Sequence, residues 1–323
     1  RRSAGALRRR RRQRRWGAMA AKAAAASVIG RFDISSTRNG CIKELLRLRV
    51  GRRRAREKRG LALVRGRQLI NHIGEFFKFK EVFTHEPRES FDAYNAERVV
   101  RVEKDVLKHV IFSNTFEAER HSKRMDDDEY VVGTIEQPLP SDFSHGVLAI
   151  GDAAPRPPRR LLALDGVKHP ENMGMLLSTA VALRYDGVFL SGPCIDPFNF
   201  KVLEASQAVA WTLPYCFGTT DELLALCKRH RLAPCAAASE LSSQLHGASP
   251  AVPVAELPDL DARRYAGFCI AVGNESRGVS TELLTRCTRI ALPMSELVES
   301  LNAGVAGGIL MHTLACAWPP PDE

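Results

Sequence analysis

Metal-binding signatures are missing from this sequence. Its eight cysteines, at 41, 194, 216, 227, 235, 269, 287 and 316, include no C-x-x-C pair. Its nine histidines form no H-E-x-x-H and have no Cys partner at ligand spacing. These absences exclude the common zinc motifs and a disulfide framework, so free buried thiols in a reducing compartment are expected, and no metal. A membrane-spanning run is missing as well. The most apolar stretch, 303–318, is too short, is rich in glycine and carries His312, so it reads as a buried helix. No internal repeat occurs. Acidic residues are absent from the first 32 positions, which hold ten Arg and Lys22 ahead of Asp33. The apolar core of a secretory signal is absent there too, so secretion is not expected. What remains, rich in Arg and Ala and free of acid, has the makeup of an organelle transit peptide. The expected compartment is mitochondrion or plastid if the segment acts as one, and cytoplasm otherwise. Met19 is a candidate start, in which case residues 1–18 carry no function.

Positive charge is what the sequence has in excess, and it is unevenly placed. The formal net charge is +10, yet residues 1–60 hold 21 Lys and Arg against 3 Asp and Glu, a balance of +18. The remainder therefore sums to about −8, the difference between those two values. A basic N-terminal region on a mildly acidic body suits a polyanion such as RNA, or else serves as a tail or targeting segment. With 45% apolar and 26% charged residues the composition is that of a soluble globular protein, and 323 residues suggest two domains.

Four stretches follow along the chain. Residues 1–32 read as a basic tail or transit-like segment. Residues 33–150 read as a small α/β domain: a basic helix over 41–60, a strand at 61–64, a helix at 66–77, a strand at 98–102, a helix at 104–112 and a strand at 130–135. Residues 151–159 carry three prolines, which cannot sit inside a helix or a central strand, and are placed as a connector. Residues 160–318 alternate short apolar runs (161–164, 187–190, 233–237, 268–272, 289–292) with helices near 172–183, 201–209, 221–230, 280–285 and 301–317. That alternation predicts an α/β domain with a parallel sheet covered on both faces.

Ligands of such sheets bind at the carboxyl ends of the strands. Three segments there carry polar and small residues. The first runs from Asp165 through Asn172 to Gly174, and Asn172 could equally be a helix cap. The second is Gly273-Asn-Glu-Ser-Arg-Gly278, whose glycines allow a tight turn against a ligand. Glu275 in its middle is unsuited to a pyrophosphate, and the spacing of 165–174 is wrong for a nicotinamide-binding glycine loop. The third is Leu292-Pro-Met294, then Ser300-Leu-Asn302, then a helix of small residues that could equally reflect close packing.

Taken in order, the three segments resemble the motifs of the SpoU (TrmH-like) branch of the SPOUT methyltransferases. The first resembles N-x-G-x-x-x-R-[TS]-A, the second G-N-E-x-x-G, and the third P-M-x5-S-L-N; residues 196–206 resemble the family's stretch after its second strand. The resemblance spans about residues 160–317. Less sharply, 34–69 resembles the small α/β RNA-binding domain that often precedes SpoU domains.

The resemblance implies a parallel-sheet catalytic domain with a C-terminal trefoil knot, a homodimer, and S-adenosylmethionine as cofactor without a metal. It implies transfer of a methyl group to a ribose 2′-hydroxyl of RNA, rRNA more than tRNA. Asn172, Glu275, Ser300 and Asn302 would organise substrate and pocket. Gly273, Leu292, Met294 and Leu301 would hold the cofactor. Arg47, Arg49, Arg53, Arg54, Arg56 and Arg59 would contact phosphates, unless they form only a solvated helix face. The chain departs from the pattern in two places. Ser178 stands where the family has Arg, and it can supply neither a guanidinium's charge nor its five donors. Glu296 stands where glycine is frequent. Arg184 lies six residues further along the helix, too far for a simple swap, and Arg277 in the second motif is the nearer cation. The alternative implied by Ser178 is a catalytically weak or inactive paralogue that holds RNA.

Overall fold

A computed structural model gives the fold and describes residues 33–50, 53–112, 126, 129–147, 154–238, 251–253, 264–295, 297–298 and 300–318. The tail 1–32 lies outside them. The chain divides into two compact units, one of Arg1–Pro138 with Phe198–Phe200, the other of Leu139–Pro197 with Lys201–Glu323.

The N-terminal unit is a five-stranded sheet with helices packed on it. Its strands are β1 (Asp33–Ile34), β2 (Leu61–Arg65), β3 (Phe79–Thr84), β4 (Ala96–Val102) and β5 (Val131–Glu136), in the order β1-β4-β3-β5-β2. Strands β1, β4 and β3 are parallel, whereas β5 pairs antiparallel with both β3 and β2. The basic helix expected over 41–60 is two helices, α1 (Gly40–Val50) and α2 (Arg53–Arg59), in a chain that has Gly51 between them. Helix α3 (Arg67–Gly74) is shorter than expected, and α4 (Lys104–Ile111) lies where periodicity put it. Strand β3 was not foreseen: the expected helix at 66–77 takes in Phe76 and Phe77, and no element is expected over 79–84. One core gathers Ile42, Leu45 and Leu48 of α1, Val106, Leu107 and Val110 of α4, and Leu63, Phe83, Val100 and Val132 of the sheet.

The C-terminal unit is a seven-stranded, wholly parallel sheet. Its strands are β6 (Arg160–Asp165), β7 (Gly187–Ser191), β8 (Tyr215–Gly218), β9 (Leu232–Ala237), β10 (Val252–Pro253), β11 (Gly267–Gly273) and β12 (Thr288–Ala291). They lie in the order β10-β12-β9-β11-β6-β7-β8. The helices are α5 (Pro170–Ala182), α6 (Phe200–Ala205), α7 (Thr220–His230), α8 (Thr281–Arg286) and α9 (Ala303–Ala317). Both faces are covered, as expected. Leu161, Ala163, Cys269 and Ala271 point into a core with Leu223, Leu226 and Cys227 of α7 and Leu283 and Leu284 of α8. On the other face Gly307 of α9 lies against Val272 and against Leu176 of α5, so close that a Cβ there would sit 2.4 Å from Leu176 Cδ2. Only glycine lets α9 reach the sheet at this point.

Arg160 holds the far ends of this second layer. It is buried, donates through Nη1 to the Leu183 carbonyl (2.9 Å) and through Nη2 to those of Ala315 (3.0 Å) and Trp318. A guanidinium placed there satisfies carbonyls left unpaired where α5 and α9 end, and opposes the negative end of each helix dipole.

Candidate active site

The site lies where the strand order reverses. From β6 the chain goes to β7 and β8 on one side, then returns to β9 and β11 on the other, so the carboxyl ends of β6 and β11 flank a switch point. Asp165 ends β6 and Gly273 ends β11, and the two are register partners.

After Gly273 the chain makes a closed turn. Asn274 N–H donates to the Gly278 carbonyl at 2.9 Å, and Gly278 N–H to that of Asn274 at 2.8 Å. Gly278 is left-handed at φ 69°. A Cβ on Gly273 would lie 2.1 Å from the carbonyl carbon of Gly278, so this position admits no side chain. The Asn274 side chain ties the turn together: its oxygen accepts from the N–H groups of Ser276 (3.1 Å) and Arg277 (3.2 Å), and its amide donates to the Gly166 carbonyl (2.9 Å).

This turn presents Glu275 to the start of α5. One carboxylate oxygen accepts from His169 N–H (2.9 Å) and the Asn172 amide (3.2 Å). The other accepts from Lys168 N–H (3.2 Å) and the Asn274 amide (3.2 Å). Partial burial acts to raise the pKa of Glu275, but these bonds, His169 N–H foremost, outweigh it and hold the carboxyl below its ordinary range. The positive end of the α5 dipole faces the same way.

Asn172 is 4% exposed, and its oxygen accepts from the Asn302 amide at 2.9 Å. The Asn302 oxygen in turn accepts from the N–H groups of Gly304 (2.9 Å) and Val305 (3.3 Å), capping α9, which therefore starts at Ala303 rather than at 301. Three segments far apart in sequence are thus joined as Asn302 to Asn172 to Glu275. Asn172 and Asn302 position Glu275 and the start of α9, and neither lines the cavity beside them.

That cavity measures about 360 Å³ and is lined by Gly273, Leu292, Met294 and Leu301, with Glu275 and Ser300 also on its wall. It brings together all four residues assigned to a cofactor. Ala306, Gly307 and Leu310 of α9 complete the wall, with Ala237 at the end of β9. The first three follow Ala303 at helical spacing; Ala306 and Gly307 belong to the small-residue helix of the third motif, and Leu310 lies one turn beyond them. Nothing local marks Ala237, whose role depends on strand order. Cavities of about 930 and 430 Å³ elsewhere contain no residue of the three motifs.

Ser178 turns inward. Its hydroxyl lies 3.0 Å from the carbonyls of both Gly174 and Met175, one turn back on α5, so its proton is used by its own helix. Arg184 follows the C-terminal end of α5 in a left-handed turn (φ 59°) and cannot substitute. Glu275 is held at the other end of that helix, roughly 20 Å away by helical rise. Arg277 is exposed and lines the cavity. Glu296 lies outside the described residues.

In the N-terminal unit the six arginines separate. Arg49 is buried and donates to the carbonyls of Val110 (2.7 Å) and Phe112 (2.6 Å) at the end of α4. Arg56 is buried and donates to the Leu48 carbonyl (3.1 Å). Their burial corrects the expectation that they face phosphates: both hold helix ends. Arg47 pairs with Glu44, Arg59 with the same Glu44, and Arg53 with Glu57. The Arg54 side chain lies outside the described residues.

Residues 159–312 match the family model "SpoU rRNA Methylase family". Over this segment the chain is similar to the SpoU rRNA methylases. It is 29% identical over 157 residues to the 23S rRNA (guanosine(2553)-2′-O)-methyltransferase RlmP of Bacillus subtilis, covering 48% of this chain and 58% of the relative. It is also 29% identical over 157 residues to the 23S rRNA (adenosine(1067)-2′-O)-methyltransferase of Streptomyces laurentii, covering 48% and 53%. The chain thus spans about half the length of the curated relatives it matches. Its fold matches the crystal structure of an AdoMet-bound rRNA methyltransferase from Sinorhizobium meliloti, with TM-score 0.66, 19% identity, and coverage of 90% of this chain and 99% of that one. The SpoU methyltransferase AviRb of Streptomyces viridochromogenes, solved in complex with AdoMet, matches with TM-score 0.64, 20% identity, and coverage of 86% and 98%.

Proposed function

We propose that this chain is an S-adenosylmethionine-dependent methyltransferase acting on a ribose 2′-hydroxyl of RNA, rRNA before tRNA. The observation that carries the reading is the Gly273–Gly278 turn, which holds Glu275 at the edge of a cavity walled by Gly273, Leu292, Met294 and Leu301. The cavity suits the cofactor: Gly273, Ala306 and Gly307 make a wall without bulk, Leu292, Leu301 and Leu310 an apolar one, and Glu275 is a carboxylate compatible with a cation. When bound, the cofactor supplies a methyl group already activated by a positively charged sulfur, so no metal is called for. The protein's task is alignment. Asn172 and Asn302 fix Glu275, and Glu275 fixes the turn that closes the cavity. Among the described residues, Glu275 and Arg277 are the ionisable side chains on the cavity wall. Arg277 is the cation we place beside the attacking oxygen, where positive charge favours loss of the hydroxyl proton to water, which reaches the exposed Arg277.

The reading extends to a trefoil-knotted path between β11 and α9, and to a homodimer. In support of the dimer, Val305 and Ile309 of α9 are 47% and 44% exposed, and Met175 of the adjoining α5 is 38% exposed, an apolar strip next to the site. The inactive-paralogue alternative gains nothing from this geometry, in which the Glu275 network is complete. A transit role for residues 1–32, and with it an organellar compartment, remains part of the proposal.

Calorimetry with S-adenosylmethionine tests the cavity, and methyl transfer to total RNA tests the reaction. Wild type is expected to bind and transfer, and Arg277→Ala to bind but transfer at least about tenfold more slowly. A wild type that does not bind the cofactor overturns the reading.

A further inference from the structure

We infer that the N-terminal unit carries a binding trough for an unpaired RNA segment, on the sheet rather than on the basic helices. The inference rests on the RNA-directed reading above and adds the place where the RNA is held.

A cavity of about 930 Å³ opens at one end of the five-stranded sheet. Lys78 and Lys80 enter it at the start of β3, Arg98 near the start of β4, and Thr134 and Gln137 at the end of β5. Two polar atoms there have no partner among the described residues. Thr134 is 3% exposed, and its hydroxyl makes no hydrogen bond among the described residues. The amide oxygen of Gln137 is buried and unpartnered in the same way. A buried polar group left unpaired costs stability, so two of them on one cavity wall point to a ligand that completes them.

The remaining wall says what kind of ligand. Lys80 bridges Glu97 (3.0 Å) and Glu136 (2.9 Å), and Arg98 pairs with Glu81 (3.1 Å). A site for phosphate alone would have no use for three carboxylates. A nucleotide uses both signs: its phosphate meets the lysines, and its amino and ring N–H groups meet carboxylate and amide oxygens. Phe76, two residues before Lys78, is 50% exposed, the side-chain type on which an unpaired base stacks. The Watson–Crick edges of a duplex are already paired, so Thr134 and Gln137 can meet those edges in a single-stranded segment.

The test uses the full chain, a fluorescently labelled unstructured RNA of mixed sequence, and a hairpin of the same composition. Thr134→Val, Gln137→Leu and Phe76→Ala are compared with wild type by fluorescence polarisation, thermal melting and calorimetric S-adenosylmethionine binding. Each variant is expected to weaken single-strand affinity roughly three- to tenfold. Melting temperature and cofactor affinity should stay unchanged, and hairpin affinity should fall less. Thr134→Val deletes a hydroxyl with no partner, so it should not lower the melting temperature. Unchanged affinity in all three variants, with wild type binding RNA, overturns the trough and leaves the methyltransferase reading standing. A lowered melting temperature in Thr134→Val also overturns it, because the hydroxyl then has an internal role. A wild type that binds no RNA overturns both.

Discussion

The two units use polar side chains in opposite ways. In the N-terminal unit, Arg49 and Arg56 are buried and spend their donors on main-chain carbonyls. In the C-terminal unit the site is built from asparagine, glycine and one carboxylate, each held by a partner from another motif. Arg160 shows that the C-terminal unit also uses the arginine device, but at the end of the helices away from the site. A run of arginines in sequence therefore mixes scaffold with surface, and charge alone does not separate them. A spaced set of Asn, Glu and Gly is harder to reproduce by accident, because each residue type answers a specific geometric demand.

The comparison breaks most readily at Gly273. Gly273→Val puts a side chain into main chain 2.1 Å away. A loss of about 3 kcal/mol or more in urea unfolding, with no cofactor binding, is expected. Next is Glu275→Ala, which leaves the Lys168 and His169 N–H groups and two amides without their acceptor. Methyl transfer should fall about 100-fold or more, equivalent to roughly 3 kcal/mol of barrier. Glu275→Gln should lie between, since its NH₂ cannot accept from two donors.

The arginines sharpen the contrast. Arg49→Met should cost about 2 kcal/mol of stability, measured by denaturant, because charge-assisted bonds to carbonyls at the end of α4 are lost. Arg47→Ala and Arg53→Ala, at partly exposed side chains, should stay within about 0.5 kcal/mol of wild type. If either contacts a phosphate, its loss should reduce the salt slope of RNA binding by about one.

The smallest effect concerns pH. The folded pKa of Glu275 is depressed, so its contribution to stability is present above the ordinary carboxylate range and is lost as pH falls through the folded value. The stability gap between wild type and Glu275→Gln should hold at neutral pH and narrow below about pH 4.

Much of the C-terminal unit was legible because parallel strands buried on both faces read as apolar runs, and because three loops at strand ends carry improbable residue sets. Strand β8 was missed: four residues of mixed type leave no periodic signal. Strand β3 was hidden by adjacent aromatics. The site was legible as residue types but not as roles. Asn172 and Asn302, expected to organise substrate and pocket, meet through one side-chain bond, and Asn172 donates to Glu275. Ala237 and Leu310 join the cavity only through strand order and helix packing, which no local pattern encodes. Arg49 and Arg56 were misread for a related reason, since burial of a guanidinium depends on which carbonyls lie nearby in three dimensions.

The most direct test of the central claim is methyl transfer from isotopically labelled S-adenosylmethionine to RNA, followed by digestion to nucleosides and mass spectrometry. Labelled 2′-O-methylnucleosides with wild type, reduced about 100-fold or more with Glu275→Ala, are the predicted result. Label on a base, or no label from a wild type that binds both cofactor and RNA, would contradict the account.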